Sequence, residues 1–258
     1  MKNTVKTISA KKDIEKISMI TAYDAMFASL ADRAGADIIL VGDSVGNTVL
    51  GYDSTVAVTM QVMIHHTAAV VRGTKNALVL ADVPFAIAHY SFDKMLEEIS
   101  KLIQIAGADA VKIEGGKAMA EKIQKLTDAG IAVMAHIGLE PQQVLKLGGY
   151  RKFGKTEIEK QRLIEDAKAL EKAGAFALLL EMTDAETSAE ITKTVSIPTI
   201  GIGSGQDCDG QVLVCADILG LTQNPPKFVK QYANLDKSIL AAYASYISDV
   251  KSLKFPKK

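Results

Sequence analysis

Short apolar runs recur along the chain, and each follows a glycine-containing segment and precedes an ionisable residue. Residues 34–37, 106–109 and 173–176 are Ala-Gly-Ala followed by Asp or Phe, and each leads into an apolar run. Glycine suits the left-handed position at which helices end. Near-continuous apolar runs of this length are typical of parallel strands buried on both faces. The pattern therefore predicts repeated units in which a helix ends at glycine and a buried strand follows.

The same pattern continues along most of the chain. It predicts eight strands, at residues 18–22, 38–41, 78–81, 110–113, 132–135, 177–180, 199–202 and 212–214. Helical spacing of apolar residues predicts helices between them, at residues 91–105, 119–129 and 157–173. Alternating strands and helices indicate a parallel α/β sheet, and eight units in a chain of this length are typical of a (β/α)8 TIM barrel. A doubly wound open sheet is the alternative, weakened because no Gly-x-Gly-x-x-Gly follows the first strand.

The C-terminal region differs from the repeated units. We expect residues 1–258 to form one barrel domain, with residues 223–258 as a C-terminal helical extension. A helix is predicted over residues 236–250, with apolar residues along one side. Packing of that side on the outside of the barrel is favoured over binding to a partner.

Composition narrows the class of protein. The 258 residues carry 30 Lys and Arg against 30 Asp and Glu, so the formal net charge is zero. A nucleic-acid or membrane-surface protein would need a basic excess, so neither partner is expected. The first residues contain no apolar segment typical of a signal peptide. The two cysteines, Cys208 and Cys215, fit reduced thiols, and we expect a cytoplasmic protein.

Ionisable residues gather where five of the predicted strands end. They are Asp43, Asp82, Glu114, His136 and Glu181. The carboxyl ends of barrel strands meet at one mouth, which is where TIM-barrel active sites lie. Several carboxylates at one mouth would repel one another unless a cation offset their charge. Asp43, Asp82 and Glu114 supply only oxygen, which favours Mg²⁺ over zinc.

One lysine is predicted inside the barrel. Strand alternation places Lys112 and Glu114 on the same, interior face. A buried lysine needs either an internal ion pair or an anionic substrate, so a network of internal salt bridges without a ligand is the alternative to an active site. His136 also faces the mouth, where contact with substrate is favoured over a role in the core.

Six segments occur in an order that is more specific than any of them alone. They are Ile20-Thr21-Ala22-Tyr23-Asp24-Ala25, Val41-Gly42-Asp43-Ser44-Val45-Gly46, Ala81-Asp82-Val83-Pro84-Phe85, Val111-Lys112-Ile113-Glu114-Gly115-Gly116, His136-Ile137-Gly138-Leu139 with Pro141-Gln142, and Cys208-Asp209-Gly210-Gln211-Val212-Leu213. Together they closely resemble the ketopantoate hydroxymethyltransferase family, over almost the whole chain. Residues 86–90 and 152–154 depart from the pattern of this family, and these departures affect loops.

The resemblance implies a (β/α)8 barrel that depends on Mg²⁺ and assembles as a homo-oligomer, a decamer. It implies transfer of a hydroxymethyl group from 5,10-methylenetetrahydrofolate to 3-methyl-2-oxobutanoate, giving 2-dehydropantoate in pantothenate biosynthesis. Carried over by position, the metal ligands would be Asp43, Asp82 and Glu114, the substrate contacts Asp43, Ser44, Asp82 and Lys112, and the proton acceptor Glu181.

The residue types agree with that chemistry. A carbon–carbon bond at C3 of a 2-oxo acid requires removal of the C3 proton and stabilisation of the enolate, to which a divalent cation is suited. Glu181 would be the base, because an apolar setting raises the pKa of a carboxyl. Two rival functions remain: another Mg²⁺-dependent enzyme of 2-oxo acids that needs no folate, and a metabolite-binding barrel without activity.

Overall fold

Eight parallel strands close into a barrel in sequence order, as the computed structural model of the protein shows for residues 2–256. The strands are β1 Ile17–Thr21, β2 Ile38–Val41, β3 Leu78–Asp82, β4 Ala110–Glu114, β5 Val133–Gly138, β6 Ala177–Glu181, β7 Thr199–Ile202 and β8 Gly210–Leu213. The predicted (β/α)8 barrel is confirmed, and the open doubly wound sheet is excluded.

Helices alternate with the strands as the apolar spacing predicts. They are α1 Val5–Ser9, α2 Ala25–Arg33, α3 Val45–Thr48, α4 Met60–Gly73, α5 Phe92–Gln104, α6 Ala120–Asp128, α7 Val144–Leu147, α8 Glu157–Lys172, α9 Ala185–Thr194, α10 Cys215–Ile218 and α11 Leu235–Lys251. Gly35 and Gly174 follow the last residues of α2 and α8 with φ of 92° and 89°. The recurring glycine therefore ends helices in the left-handed conformation, as predicted.

The side chains inside the barrel change from apolar to polar along four of the strands. Its lower part is a cluster of buried apolar side chains that includes Leu80, Ala110, Met134 and Leu179. Two residues further along these four strands, the residues are Asp82, Lys112, His136 and Glu181. Because side chains alternate between the two faces of a strand, the polar residues continue the interior files of the apolar ones. The sequence thus builds an apolar core that ends in a polar layer at the carboxyl mouth.

The opposite, N-terminal mouth is closed by α1 and by ion pairs. Ile8 of α1 is fully buried and belongs to the interior cluster. Lys12, just after α1, contacts Asp209 Oδ2 at 2.8 Å, and this same oxygen accepts a hydrogen bond from the backbone N–H of Thr199 at 2.8 Å. Lys12 also donates to the carbonyl of Thr192. Asp209 therefore joins the start of the chain to the beginning of β7.

Only the second and seventh predicted strands keep their bounds in the structure. Four others differ by one residue at one or both ends, and the eighth and the fifth differ by more. The eighth strand, predicted at 212–214, begins at Gly210, and a Cβ at that position would lie 2.4 Å from the Ile17 carbonyl oxygen. The strand that closes the barrel therefore begins at a glycine. Because glycine has no apolar side chain, the hydrophobic pattern does not show where this strand begins. The fifth strand, predicted at 132–135, covers Val133–Gly138 and so includes His136.

Contacts divide the chain into two compact units, Met1–Val212 and Leu213–Lys258. The second unit contains α10 and α11, so the predicted C-terminal helix is confirmed, whereas the single-domain organisation stays a prediction. No residue of α11 is buried. Its exposed large apolar side chains are Ile239, Leu240, Tyr243, Tyr246, Ile247 and Val250. The packing of this side on the outside of the barrel stays a prediction. Within residues 2–256, no helix is both long and apolar enough to cross a membrane.

Candidate active site

Two aspartates lie in direct contact at the ends of β2 and β3. The backbone N–H of Asp43 donates to Asp82 Oδ2 at 2.9 Å, and both residues are buried. Burial, together with the neighbouring Asp82 charge, raises the pKa of Asp43 to about 7. A Cβ on Gly42 would lie 2.6 Å from Ser44 Oγ, so the glycine leaves room for the Ser44 hydroxyl beside the two aspartates. The paired carboxylates therefore form an electronegative site that attracts cations.

Lys112 on β4 supplies the neighbouring positive charge. Its Nζ lies 3.1 Å from Asp82 Oδ1 and 3.0 Å from His136 Nδ1, and the side chain is buried. Burial alone would lower the pKa of Lys112, but the charges of Asp82, Glu114 and Asp43 outweigh it and the pKa is raised. Lys112 is therefore a buried ammonium group at neutral pH. As predicted, it lies on the same side of β4 as Glu114, since both approach His136.

His136 on β5 connects the lysine to two glutamates. Its Nδ1 is 3.7 Å from Glu114 Oε1, and its Nε2 is 3.5 Å from Glu181 Oε2. Within the described residues, Nε2 is buried without a hydrogen bond. Burial and the Lys112 charge hold the pKa of His136 well below its usual value, so the ring is neutral.

Glu181 ends β6 and is the most accessible carboxylate of the group. Its side chain is 20% exposed, against 4% for Glu114. Burial, with help from the charges of Asp43 and Asp82 and against that of Lys112, raises the pKa of Glu181 to about 8. Burial likewise raises the pKa of Glu114 well above its usual value. A carboxyl with a pKa near neutrality is suited to general acid–base catalysis.

The backbone around Glu181 is tightly fixed. A Cβ on Gly138 would lie 2.3 Å from the Glu181 carbonyl oxygen, and Gly138 has φ of 98°. This close approach lets the backbone N–H of Leu139 donate to the same carbonyl at 2.8 Å. Met182, the next residue, has φ of 45°, a left-handed conformation that costs a non-glycine residue about 1–2 kcal/mol. Glu181 is thus held at a constrained strand end.

Ser44 approaches the site from the turn after β2. Its Oγ lies 2.8 Å from the hydroxyl of Tyr23, and the Tyr23 carbonyl is 2.6 Å from Nδ1 of His66. His66 therefore supports the chain segment that carries Tyr23. Tyr23 itself lies in one of the six ordered segments, and reasoning from residue types alone missed it.

Gln142 is a second residue that reasoning from residue types missed. It lies in a 3-10 turn, Pro141–Gln143, beyond β5 and is buried. Its Nε2 donates to Asp43 Oδ2 at 2.8 Å and to the Val83 carbonyl at 2.9 Å, and its backbone N–H donates to Glu114 Oε2 at 3.1 Å. The only sequence signal was its place in the ordered segment after His136.

The structure brings every predicted site residue to one mouth of the barrel. The fit of a divalent cation can be judged from the donors themselves. Asp43, Asp82 and Glu114 are buried oxygen donors, and Asp82 Oδ1 has no hydrogen bond beside its ion pair with Lys112. This donor chemistry suits Mg²⁺. Across residues 2–256, no group of three His, Cys, Asp or Glu side chains is already arranged to hold a metal ion. The donors therefore fit the ion in kind.

The family model described as ketopantoate hydroxymethyltransferase matches residues 2–258. Curated relatives with the name 3-methyl-2-oxobutanoate hydroxymethyltransferase are similar over nearly their full length. The protein of Dehalococcoides mccartyi strain CBDB1 is 51% identical, covering 99% of this chain and 92% of the relative. That of Thermotoga maritima is 52% identical, covering 98% and 93%.

Solved structures share the fold at low sequence identity. A phosphoenolpyruvate phosphomutase from Streptomyces platensis subsp. rosaceus has a TM-score of 0.63 at 16% identity, covering 97% of this chain and 88% of that one. Phosphonopyruvate hydrolase in complex with oxalate and Mg++ has a TM-score of 0.62 at 15% identity, covering 97% and 87%. Such likeness shows the barrel fold alone, whereas the family model and the relatives extend over nearly the whole sequence. The chain therefore belongs to the ketopantoate hydroxymethyltransferase family.

Proposed function

We propose that the protein transfers a hydroxymethyl group from 5,10-methylenetetrahydrofolate to 3-methyl-2-oxobutanoate and forms 2-dehydropantoate, a step of pantothenate biosynthesis. The observation that carries this proposal is Glu181, a partly accessible carboxyl with a pKa of about 8 at the mouth that holds the buried ammonium of Lys112. The names of the relatives support the reaction, and the geometry supports the roles of the residues.

Glu181 would remove the proton from C3 of the oxo acid. Its raised pKa makes the carboxylate a stronger base than one in water, and its exposure leaves it open to the mouth. Positioned general bases typically contribute about 10²–10⁴-fold to a rate. The neighbouring Nε2 of His136 faces the same carboxylate and would orient it.

Lys112 and Ser44 would bind the carboxylate and 2-oxo oxygens of the substrate. Lys112 is buried and charged, so its field acts at short range in a site from which water is largely excluded. Ser44 Oγ offers a hydroxyl at the end of β2, where Tyr23 fixes its direction. Asp43 and Asp82 would contact the substrate on the same side.

Asp43, Asp82 and Glu114 would hold the divalent cation. When bound, Mg²⁺ supplies Lewis-acid stabilisation of negative charge on oxygen. Phosphonopyruvate hydrolase, which has the same fold, was solved in complex with oxalate and Mg++, so a protein with this fold can bind that cation. Raised pKa values at Asp43 and Glu114 also support it, because a cation would relieve the repulsion between them.

The reaction replaces the C3–H bond of the oxo acid by a carbon–carbon bond. The C3–H bond of the oxo acid breaks and its proton passes to Glu181. The C3 carbon forms a bond to the methylene carbon of the folate, and the carbon–nitrogen bonds to that methylene are broken. One water supplies the hydroxyl group. Its second proton and the proton held by Glu181 pass to the two nitrogens released from the methylene carbon, and tetrahydrofolate leaves.

The test is deuterium exchange at C3 of 3-methyl-2-oxobutanoate, followed by NMR in D₂O with Mg²⁺. We expect exchange by the wild-type protein and its near-complete loss in Glu181→Gln. Glu140→Gln is the matched control, because Glu140 is another carboxyl whose pKa is raised by burial but lies outside the site. Undiminished exchange in Glu181→Gln would show that Glu181 does not remove the C3 proton.

Addition of methylenetetrahydrofolate separates the rival functions. Formation of 2-dehydropantoate supports the proposal. A folate-independent aldol or lyase enzyme would exchange the proton without consuming folate, and a metabolite-binding barrel would bind the oxo acid without exchange.

A homo-oligomer, the decamer of the family resemblance, and a cytoplasmic location belong to the same proposal. The apolar side chains of α11 support oligomerisation, because a 17-residue helix with no buried residue gains little stability by itself. A contiguous exposed apolar face is typical of an interaction surface.

A further inference from the structure

Gln142 contacts the ends of three neighbouring strands at once. Its side-chain amide donates to Asp43, which follows β2, and to the carbonyl of Val83, which follows β3. Its backbone N–H donates to Glu114 at the end of β4. These contacts come from the loop beyond β5, so the residue reaches across the mouth of the barrel.

We propose that Gln142 is a positioning residue that orients Asp43 and Glu114 for binding of a divalent cation. This inference rests on the proposed function, because it assigns the two carboxylates to the cation. It adds a residue that makes no contact with the reacting atoms and acts through the carboxylates.

The side chain of Gln142 uses both of its N–H donors in directional hydrogen bonds. A primary amide has two N–H donors on Nε2, and both are used, one on Asp43 Oδ2 and one on a backbone carbonyl. The Val83 carbonyl fixes the plane of the amide, and the amide in turn fixes which Asp43 oxygen is held. Asp43 Oδ1 stays outside this hydrogen bond and is the oxygen left for a cation.

The backbone N–H of Gln142 holds one oxygen of Glu114 in the same way. The N–H of Gln142 holds Oε2 at 3.1 Å, whereas Oε1 is the oxygen nearest to His136. One residue thus holds one oxygen on each of two carboxylates. The side-chain amide and the backbone N–H are both neutral, so they add no opposite charge and their contribution is orientation and not neutralisation.

The neighbouring Gln143 shows that this arrangement is specific to one position of the turn. Gln143 is in the same 3-10 turn, but its side-chain amide donates to Glu140 Oε2, away from the candidate ligands. It is therefore a matched control with the same side chain and local backbone.

The experiment measures binding of Mn²⁺ to the full-length protein without substrates, by electron paramagnetic resonance. Mn²⁺ prefers the same oxygen ligands as Mg²⁺. Loss of an outer hydrogen-bonding partner typically costs about 10–100-fold in metal affinity. We expect a loss of this size in Gln142→Met, which keeps the length of the side chain and removes its donors, and less than a twofold change in Gln143→Met.

A second variant and a second measurement guard against a purely structural effect. Gln142→Asn keeps the amide but shortens the side chain by one methylene, so the amide cannot reach Asp43 and Val83 together. We expect it to lose about tenfold in Mn²⁺ affinity while its metal-free thermal unfolding stays close to that of the wild type. If Gln142→Met fails to fold, this variant alone decides.

Wild-type affinity for Mn²⁺ in the folded Gln142 variants would overturn the inference and leave the proposed function intact. Equal losses in the Gln142 and Gln143 variants would also overturn it, because the effect would then belong to the turn. A wild-type protein that binds no Mn²⁺ would overturn the inference together with the proposed cation site.

Discussion

Nδ1 of His136 lies 3.0 Å from Nζ of Lys112, and this contact determines where the imidazole carries its proton. An ammonium group has donors and no acceptor, so Nδ1 must accept. The ring is neutral because burial and the lysine charge lower its pKa, and the proton is therefore on Nε2. Nε2 faces Glu181 Oε2 at 3.5 Å. Lys112 thus fixes the tautomer that offers a donor to the candidate base.

The first prediction concerns this tautomer. In ¹⁵N NMR spectra of protein with labelled histidine, we expect one of the four imidazoles to stay neutral and protonated on Nε2 as the pH falls from 8 to 6.5, the usual pKa of a histidine, because its protonation would place a second buried cation beside Lys112. The control is His136→Asn, from whose spectrum this signal alone should disappear. A His136 signal that shows protonation on Nδ1, or an imidazolium at pH 7, would contradict the assignment.

The second prediction concerns the pH dependence of proton removal. Glu181 must be ionised to act as a base, and its pKa of about 8 places the change within the neutral range. The rate of C3 exchange should rise about tenfold per pH unit below pH 8 and level off above it. Glu181→Asp keeps a carboxylate and should retain a pH-dependent rate at a lower level, whereas Glu181→Gln should be flat. A rate independent of pH between 6 and 8 in the wild type would argue against Glu181.

The third prediction is that replacement of the Glu181 carboxyl by a neutral amide stabilises the fold at high pH. The pKa of Glu181 is raised from its usual value of 4.5 to about 8, so the unfolded chain ionises first as the pH rises. The stability contributed by the protonated carboxyl is complete below pH 4.5 and is lost as the pH passes through 8. At pH 9 without metal, Glu181→Gln should exceed the wild type by about 0.5–2 kcal/mol in free energy of unfolding, a difference that shrinks toward pH 4.5.

Glu159→Gln is the control for this measurement. Some burial acts to raise the pKa of Glu159, but Arg151 and backbone donors lower it overall, so its carboxylate is stabilised in the folded state. The substitution should give no gain at pH 9. Equal gains in both variants would show that the effect is unrelated to the site.

Much of the site could be predicted from the sequence because it follows from strand geometry. Asp82, Lys112, His136 and Glu181 each lie two residues beyond an interior apolar position, and alternation along a strand is enough to place them together. The carboxyl ends of parallel strands then bring them to the same mouth.

The contribution of Gln142 could not be predicted in the same way. Its position depends on the path of a loop after β5 and on a 3-10 turn that points its amide back across the barrel. Neither periodicity nor residue type specifies such a path. The first residue of β8 was not predicted for a related reason. The close approach of Ile17 requires glycine at position 210, and glycine has no side chain from which a strand could be predicted.

The fourth prediction separates stability from catalysis. Lys12→Met would leave Asp209 buried without its cation, although two hydrogen bonds from Thr199 would remain. Loss of one partner from a buried ion pair typically costs about 3–5 kcal/mol. We expect a loss of this size in chemical denaturation, with C3 exchange per folded molecule unchanged, because the pair lies at the N-terminal mouth.

Lys2→Met is the control for the fourth prediction. The pair between Lys2 and Asp109 has the same 2.7–2.8 Å contact distance but is much more exposed, so its loss should cost no more than about 1 kcal/mol. Similar losses in the two variants would contradict the argument from burial.

The last prediction concerns α11 and the size of the assembly. Apolar residues lie along one side of the helix and are exposed, so an oligomer that covers them should be lost when charge is placed there. The double variant Leu240→Glu and Tyr243→Glu should elute as a smaller species in size-exclusion chromatography with light scattering. The control, Ser238→Glu with Ser245→Glu, adds the same charge on the opposite side by helical spacing and should leave the mass unchanged. Unchanged mass in both double variants would show that this face does not build the oligomer, whereas dissociation in both would assign the effect to charge alone.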